Sequence, residues 1–286
     1  MSKNDSKDLH NRRRLLGNQY AHIEQLVELD EMIRASRFLL QNPYAYVDEN
    51  GDFSAQRSTI EVSREKLTSK EIEAFVIKIQ RRLWAEYGAN ASTNPIQVLD
   101  PSVAAKLFGF KLDYVDDLGV YADRAEKIAV AGQIDRPERS IRIARTFSAE
   151  VTRFTAAHEI GHLALHPHLT HLHRDRPTDG SKIARDELEI EADKFASYFL
   201  MPGKLLRKAF VNRFLTESFS LSDQASFALG VRYEKLPKSS AALALLLAAA
   251  TSYNGKPFPS LAEAFKVSRK AMAIRLEELQ LISFSG

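Results

Sequence analysis

The sequence predicts an α+β fold that is predominantly helical, with a small β-sheet in the core and helical N- and C-terminal regions. Three observations lead there. Long stretches repeat apolar residues at three- and four-residue spacing, the signature of helices with one buried face. Short β-like runs are confined to residues 111–144, where Ser140–Ala144 (SIRIA) alternates with period two. The chain also has no cysteine, so no disulfide staples it and any metal must be held by His, Asp or Glu. At 286 residues, 44% hydrophobic and 27% charged, it is long and apolar enough for two or three folding units.

Taken in order, residues 1–18 are polar and basic. Ile23, Leu26, Val27, Leu29 and Ile33 place a helix from Gln19 to about Leu40, ended by Asn42-Pro43 and a turn-rich Val47–Ser54. Ile72, Phe75, Val76, Ile79 and Leu83 share one face of a second helix, Ser69–Tyr87. Gly88–Pro95 (GANASTNP) reads as a linker, which sets 1–90 apart as a helical N-terminal region. The central domain, 91–215, opens with a short helix at Ser102–Phe108 and continues with strands at Lys111–Val115, Lys127–Ala131 and Ser140–Ala144. Ser148 is placed to cap a helix from Ala149 to about His166, stopped by Pro167. A His-rich polar loop follows (His166–Lys182), then a helix from Asp186 to Leu200 that ends at Met201-Pro202. Residues 216–286 read as mostly helical, and Ala241–Ala250 (AALALLLAAA) is a buried helix too short to cross a bilayer.

A net charge of +3 is too mild to mark a nucleic-acid binder by itself. The basic N-terminus has no apolar stretch behind it, so it does not read as a secretory signal. The expectation is a soluble, cytoplasmic protein with no membrane association.

The chemistry concentrates at His158-Glu159-Ile160-Gly161-His162, an HExxH sequence on the central helix. Residues four apart lie about 40° from each other around a helix axis, so His158 and His162 can grip one ion from one face. Glu159 projects in an adjacent direction, where its carboxylate can serve as base for a water acidified by the metal. Phe154, Ile160, Leu163 and Leu165 bury this helix, and two bare histidines there would need partners. A catalytic zinc takes three protein ligands, and the third candidates are His166, His168, Glu187, Glu189 and Glu191. His168 has the spacing of the third metzincin histidine, but Leu165 stands where that pattern requires glycine. His166 lies too far along the axis to close a tight site. Glu189 and Asp193 are four apart on the next helix, so one can bind metal while the other orients a ligand histidine. This favours Glu189 as ligand and Asp193 behind it, with Glu191 the alternative ligand.

Arg153–His166 (RFTAAHEIGHLALH), followed by Glu187–Pro202 (ELEIEADKFASYFLMP), resembles the ImmA/IrrE family of bacterial metallopeptidases over roughly residues 95–215. The resemblance implies a zincin-like core with a small sheet beside the active helix. It also implies one zinc held by His158, His162 and Glu189, with Glu159 as general base. Family members typically cleave a helix-turn-helix repressor and thereby switch on stress or mobile-element genes. Others carry the fold in transcriptional regulators that need not be proteolytic.

Pro259–Ile282 reads as a helix-turn-helix-like pair. Ser260 and Glu263 form a capping box for its first helix, and Ser268 caps the second. Arg269 and Lys270 open that second helix, where they could meet nucleic-acid phosphates. Glu277 and Glu278 dilute the basic face, so DNA is the less favoured partner.

Overall fold

The computed structural model describes residues 66–88, 95–123, 126–167, 173–175, 187–232 and 237–284. The expected helix between Gln19 and Leu40, and most of the His-rich loop including His168, lie outside them.

Helix α1 (Ser69–Tyr87) begins where Thr68 and Glu71 form a reciprocal capping box, and it closes with Gly88 N–H donating to Trp84 O. Its stripe Ile72, Val76, Ile79 and Leu83 is fully buried. The expected boundary near residue 90 follows this helix, yet α1 packs into the same hydrophobic cluster as the central domain. Two short helices follow, α2 (Pro95–Val98) and α3 (Pro101–Leu107), the latter started by the Asp100 cap and Pro101.

The strands are β1 (Lys111–Val115), β2 (Val120–Asp123), β3 (Glu126–Ala129), β4 (Gly132–Asp135) and β5 (Ser140–Ala144). The strand expected at Lys127–Ala131 is β3, which ends two residues earlier, while β2 and β4 on either side of it were not expected. β3 pairs only with β2 in a hairpin, whereas β4 turns away to join the main sheet. That sheet has the order β1-β5-β4-β6, with β6 at His173–Asp175. β1 runs parallel to β5, and β4 runs antiparallel to both β5 and β6. Ile134, Ile141 and Ile143 point from it into the core.

Against the sheet lies α4 (Ala149–Leu165), capped by Ser148 and ended at His166 before Pro167, a residue that disfavours helical geometry in its predecessor. It crosses α5 (Glu187–Leu200). The crossing is close because Gly161 has no side chain: a Cβ there would meet Ala192 Cα at 3.0 Å and Phe195 Cβ at 3.1 Å.

α6 (Gly203–Phe214), β7 (Phe219–Ser220), α7 (Asp223–Leu229), α8 (Ser240–Ala249) and the hairpin β8 (Ser252–Tyr253) with β9 (Lys256–Pro257) lead to α9 (Leu261–Phe265). α10 (Arg269–Glu278) and β10 (Ile282–Ser283) complete the chain order. α9 and α10 are joined by three residues, with Lys266 left-handed at φ 54°. Arg275 locks α10 to α1 and α5. Its buried guanidinium lies over the Tyr198 ring and pairs with Glu73 Oε1 at 2.7 Å and Glu278 Oε2 at 3.1 Å. Phe214 meets Phe219, Tyr253 and Phe258 edge to face and Phe210 at a tilt, a second aromatic cluster. No helix among the described residues is long and apolar enough to cross a membrane.

Candidate metal centre

Helix α4 presents His158 and His162 one turn apart, with Nε2 atoms 2.9 Å from each other. Glu189, in the first turn of α5, reaches across the crossing. Its Oε2 lies 3.3 Å from His158 Nε2 and its Oε1 lies 3.3 Å from His162 Nε2. The three side chains converge on one point and could hold a metal ion. Both histidines are buried, while the Glu189 side chain is 28% exposed, so the group opens to solvent on the α5 side. A two-histidine, one-carboxylate set with an open side suits a catalytic metal rather than a closed structural site.

The outer nitrogens are held too. Asp193, one turn after Glu189, places Oδ1 2.9 Å from His158 Nδ1. That leaves Nε2 of His158 as the metal-facing atom, since Nδ1–H donates to the carboxylate. His162 Nδ1 meets His166 Nδ1 at 2.9 Å, and His166 Nε2 meets Glu191 Oε2 at 3.0 Å. Glu191, the alternative ligand, therefore faces away from the Glu189 group and against His166. The reason is helical: two residues from Glu189 is about 200° around α5. His166 caps α4 and is fully buried in its second-row position.

Glu159 is completely buried and points at β4. A Cβ on Gly132 would collide with its Oε1, so glycine at the start of that strand makes room for the carboxylate.

Residues 117–225 match the family model of the IrrE N-terminal-like domain of the M78 peptidases. Over these residues the chain is similar to the ImmA/IrrE peptidases. No curated protein matches the sequence. The family match covers the ligand-bearing helices α4 and α5 and ends in α7. α1 and the helices from α8 onward fall outside it, although they share its hydrophobic core.

Sequence reasoning missed several residues that build the surroundings of the metal group. Arg136, just after β4, donates from Nη2 to His162 O at 3.1 Å and His166 O at 2.9 Å. A cation capping the last turn of α4 satisfies carbonyls that the helix leaves open. Burial brings its pKa down to about 10, opposed by the nearby Glu159 charge. Gly132 and Gly161 were equally silent, because their roles lie in what a side chain would strike. His166 was weighed only as a ligand, and its pairing with Glu191 was not foreseen.

A groove of about 370 Å³ lies between α4, α5 and α10, and Asp193, the partner of His158, stands in its wall. Val151 and Phe154 line it on the α4 stripe that continues to His158, and Ile190 and Asp193 line it beside Glu189. Ile274 forms its far wall and is 49% exposed. Lys270 faces the same groove, whereas Arg269 is exposed at the start of α10.

Proposed function

We propose that the protein is a zinc-dependent endopeptidase that cleaves a protein substrate, a helix-turn-helix transcriptional repressor, and so regulates stress or mobile-element genes. The observation that carries the peptidase reading is the convergence of His158, His162 and Glu189 beside a buried Glu159 on one helix crossing. The donor set fits zinc: two imidazoles whose outer nitrogens are already engaged, one carboxylate, and an open side. The repressor as substrate rests on the family likeness.

Bound by these three side chains, zinc would supply Lewis acidity toward the scissile carbonyl and acidify the attacking water. The chain's own residues do the rest. Asp193 fixes His158, and the apolar walls of the groove shed water around the peptide beside the scissile bond. Glu159 takes the proton of the attacking water as its oxygen joins the carbonyl carbon. The same carboxyl then delivers that proton to the amine as the C–N bond breaks.

Two measurements test this reading. Elemental analysis should find about one zinc per chain in the wild type and none in Glu189→Ala. Incubation with a repressor encoded beside the gene should yield cleavage that Glu159→Gln abolishes while zinc content stays unchanged. A Glu159→Gln variant that still cleaves would refute the mechanism. Salt-dependent binding of the protein to operator DNA, with no repressor cleaved, would favour a regulator that uses Arg269 and Lys270.

A further inference from the structure

We propose that His166 and Glu191 are positioning residues that hold the metal ligand His162 through a directed relay, tied off by the backbone of Leu67 ahead of α1. The inference rests on the metal-site reading above. It adds a role for two buried side chains that neither bind the metal nor touch substrate.

The relay follows from counting donors and acceptors. His162 can offer Nε2 to a metal only with its proton on Nδ1, so Nδ1–H must donate. The atom it meets, 2.9 Å away, is His166 Nδ1, which must then be unprotonated and accept. A neutral His166 therefore carries its proton on Nε2 and donates to Glu191 Oε2 at 3.0 Å. The other oxygen of Glu191 accepts the Leu67 N–H at 2.9 Å. With His166 neutral every link has one donor and one acceptor, and reversing the His162–His166 link leaves a bare His166 Nε2 facing the Glu191 carboxylate.

Burial makes the arrangement stringent. His162 and His166 are fully buried and Glu191 is 3% exposed, so water has little access to substitute for a missing partner. His158 has a carboxylate directly behind it, whereas His162 receives the same support one imidazole removed. The Leu67 end matters for a second reason. Lys66 pairs with Glu187 at 2.9 Å, so the lead-in to α1 sits on the first turn of α5, the turn that carries Glu189. Leu67 is thereby attached to the metal centre by one line of hydrogen bonds.

The test uses the full chain, zinc, and a competing chelator, with Glu191→Gln as the near-isosteric variant and Glu191→Leu as the severe one. The Gln oxygen can accept from His166 or from Leu67 but not both, so zinc should bind about 10–100-fold more weakly than to the wild type. Glu191→Leu should be at least as weak. If that variant fails to fold, Glu191→Gln carries the test alone.

Nitrogen-15 NMR of the histidine rings supplies a readout that a merely structural role would not move. In the zinc form of the wild type, His166 should be the Nε2–H tautomer, and Glu191→Gln should mix in the other. Wild-type zinc affinity in both Glu191 variants, or His166 protonated on Nδ1 in the zinc-bound wild type, would overturn the relay. Failure of the wild type to bind zinc would instead overturn the metal-site reading, and the relay with it.

Discussion

Substituting Gly161 by alanine tests the helix crossing on which the site depends. The added Cβ would sit 3.0 Å from Ala192 Cα, 3.1 Å from Ala192 O and 3.1 Å from Phe195 Cβ. Carbon atoms prefer about 3.5–4.0 Å, and two of these three neighbours are backbone that cannot rotate away. Overpacking of this kind costs about 1–3 kcal/mol. Alanine recovers about 1 kcal/mol over glycine inside a helix, so the net loss is about 0–2 kcal/mol. Relief requires α4 and α5 to part by a few tenths of an ångström. That movement carries Glu189 away from His158 and His162, and metal ligands tolerate only about 0.2 Å. Zinc affinity should therefore fall about tenfold even if stability hardly changes, a loss of about 1.4 kcal/mol in binding. Chelator competition and thermal unfolding in EDTA read the two effects separately. Wild-type zinc affinity in a variant at least as stable as the parent would show that the crossing does not set the ligand geometry.

Asp193→Asn should retain the fold but bind zinc about 10–100-fold more weakly, because an amide holds the His158 tautomer less firmly, and chelator competition would measure it. Ile274→Glu puts a charge on the far wall of the groove. It should lower kcat/KM for the protein substrate while leaving zinc content unchanged; equal kcat/KM would remove the groove from the substrate path. Arg275→Met strands Glu73 and Glu278, both about one-third exposed, and should cost about 2–3 kcal/mol in denaturant unfolding, less than a fully buried pair. Hydrogen bonds from Thr68 and Ser260 hold the carboxyls of Glu71 and Glu263 below their ordinary pKa of 4.5. A depressed folded-state pKa means the stability they lend is complete above 4.5 and is lost as pH falls through the lower folded value. Replacing both by Gln keeps the capping geometry, so the variant should lose less stability than the wild type between neutral and acid pH.

The sequence by itself determined whatever depends on local geometry. Four-residue spacing on a helix set His158 beside His162 and Glu189 beside Asp193, because those positions share a face in any α-helix. The Ser148 cap and the Met201-Pro202 stop bounded the ligand helices for the same reason, and the Thr68–Glu71 box and the Ile72–Leu83 stripe did so for α1. Only the tertiary structure decided how the pairs meet. Glu191 faces His166, twenty-five residues away, and Leu67, 124 away, through contacts that leave no periodic trace. β6 has no apolar alternation and exists through its pairing with β4, and β4 itself, four residues with one aliphatic side chain, is set by its ladders to β5 and β6. Gly132 and Gly161 carry the same lesson. A glycine's reason is the atom that would occupy its missing side chain's place, and that atom is supplied by a neighbour the chain reaches only when folded.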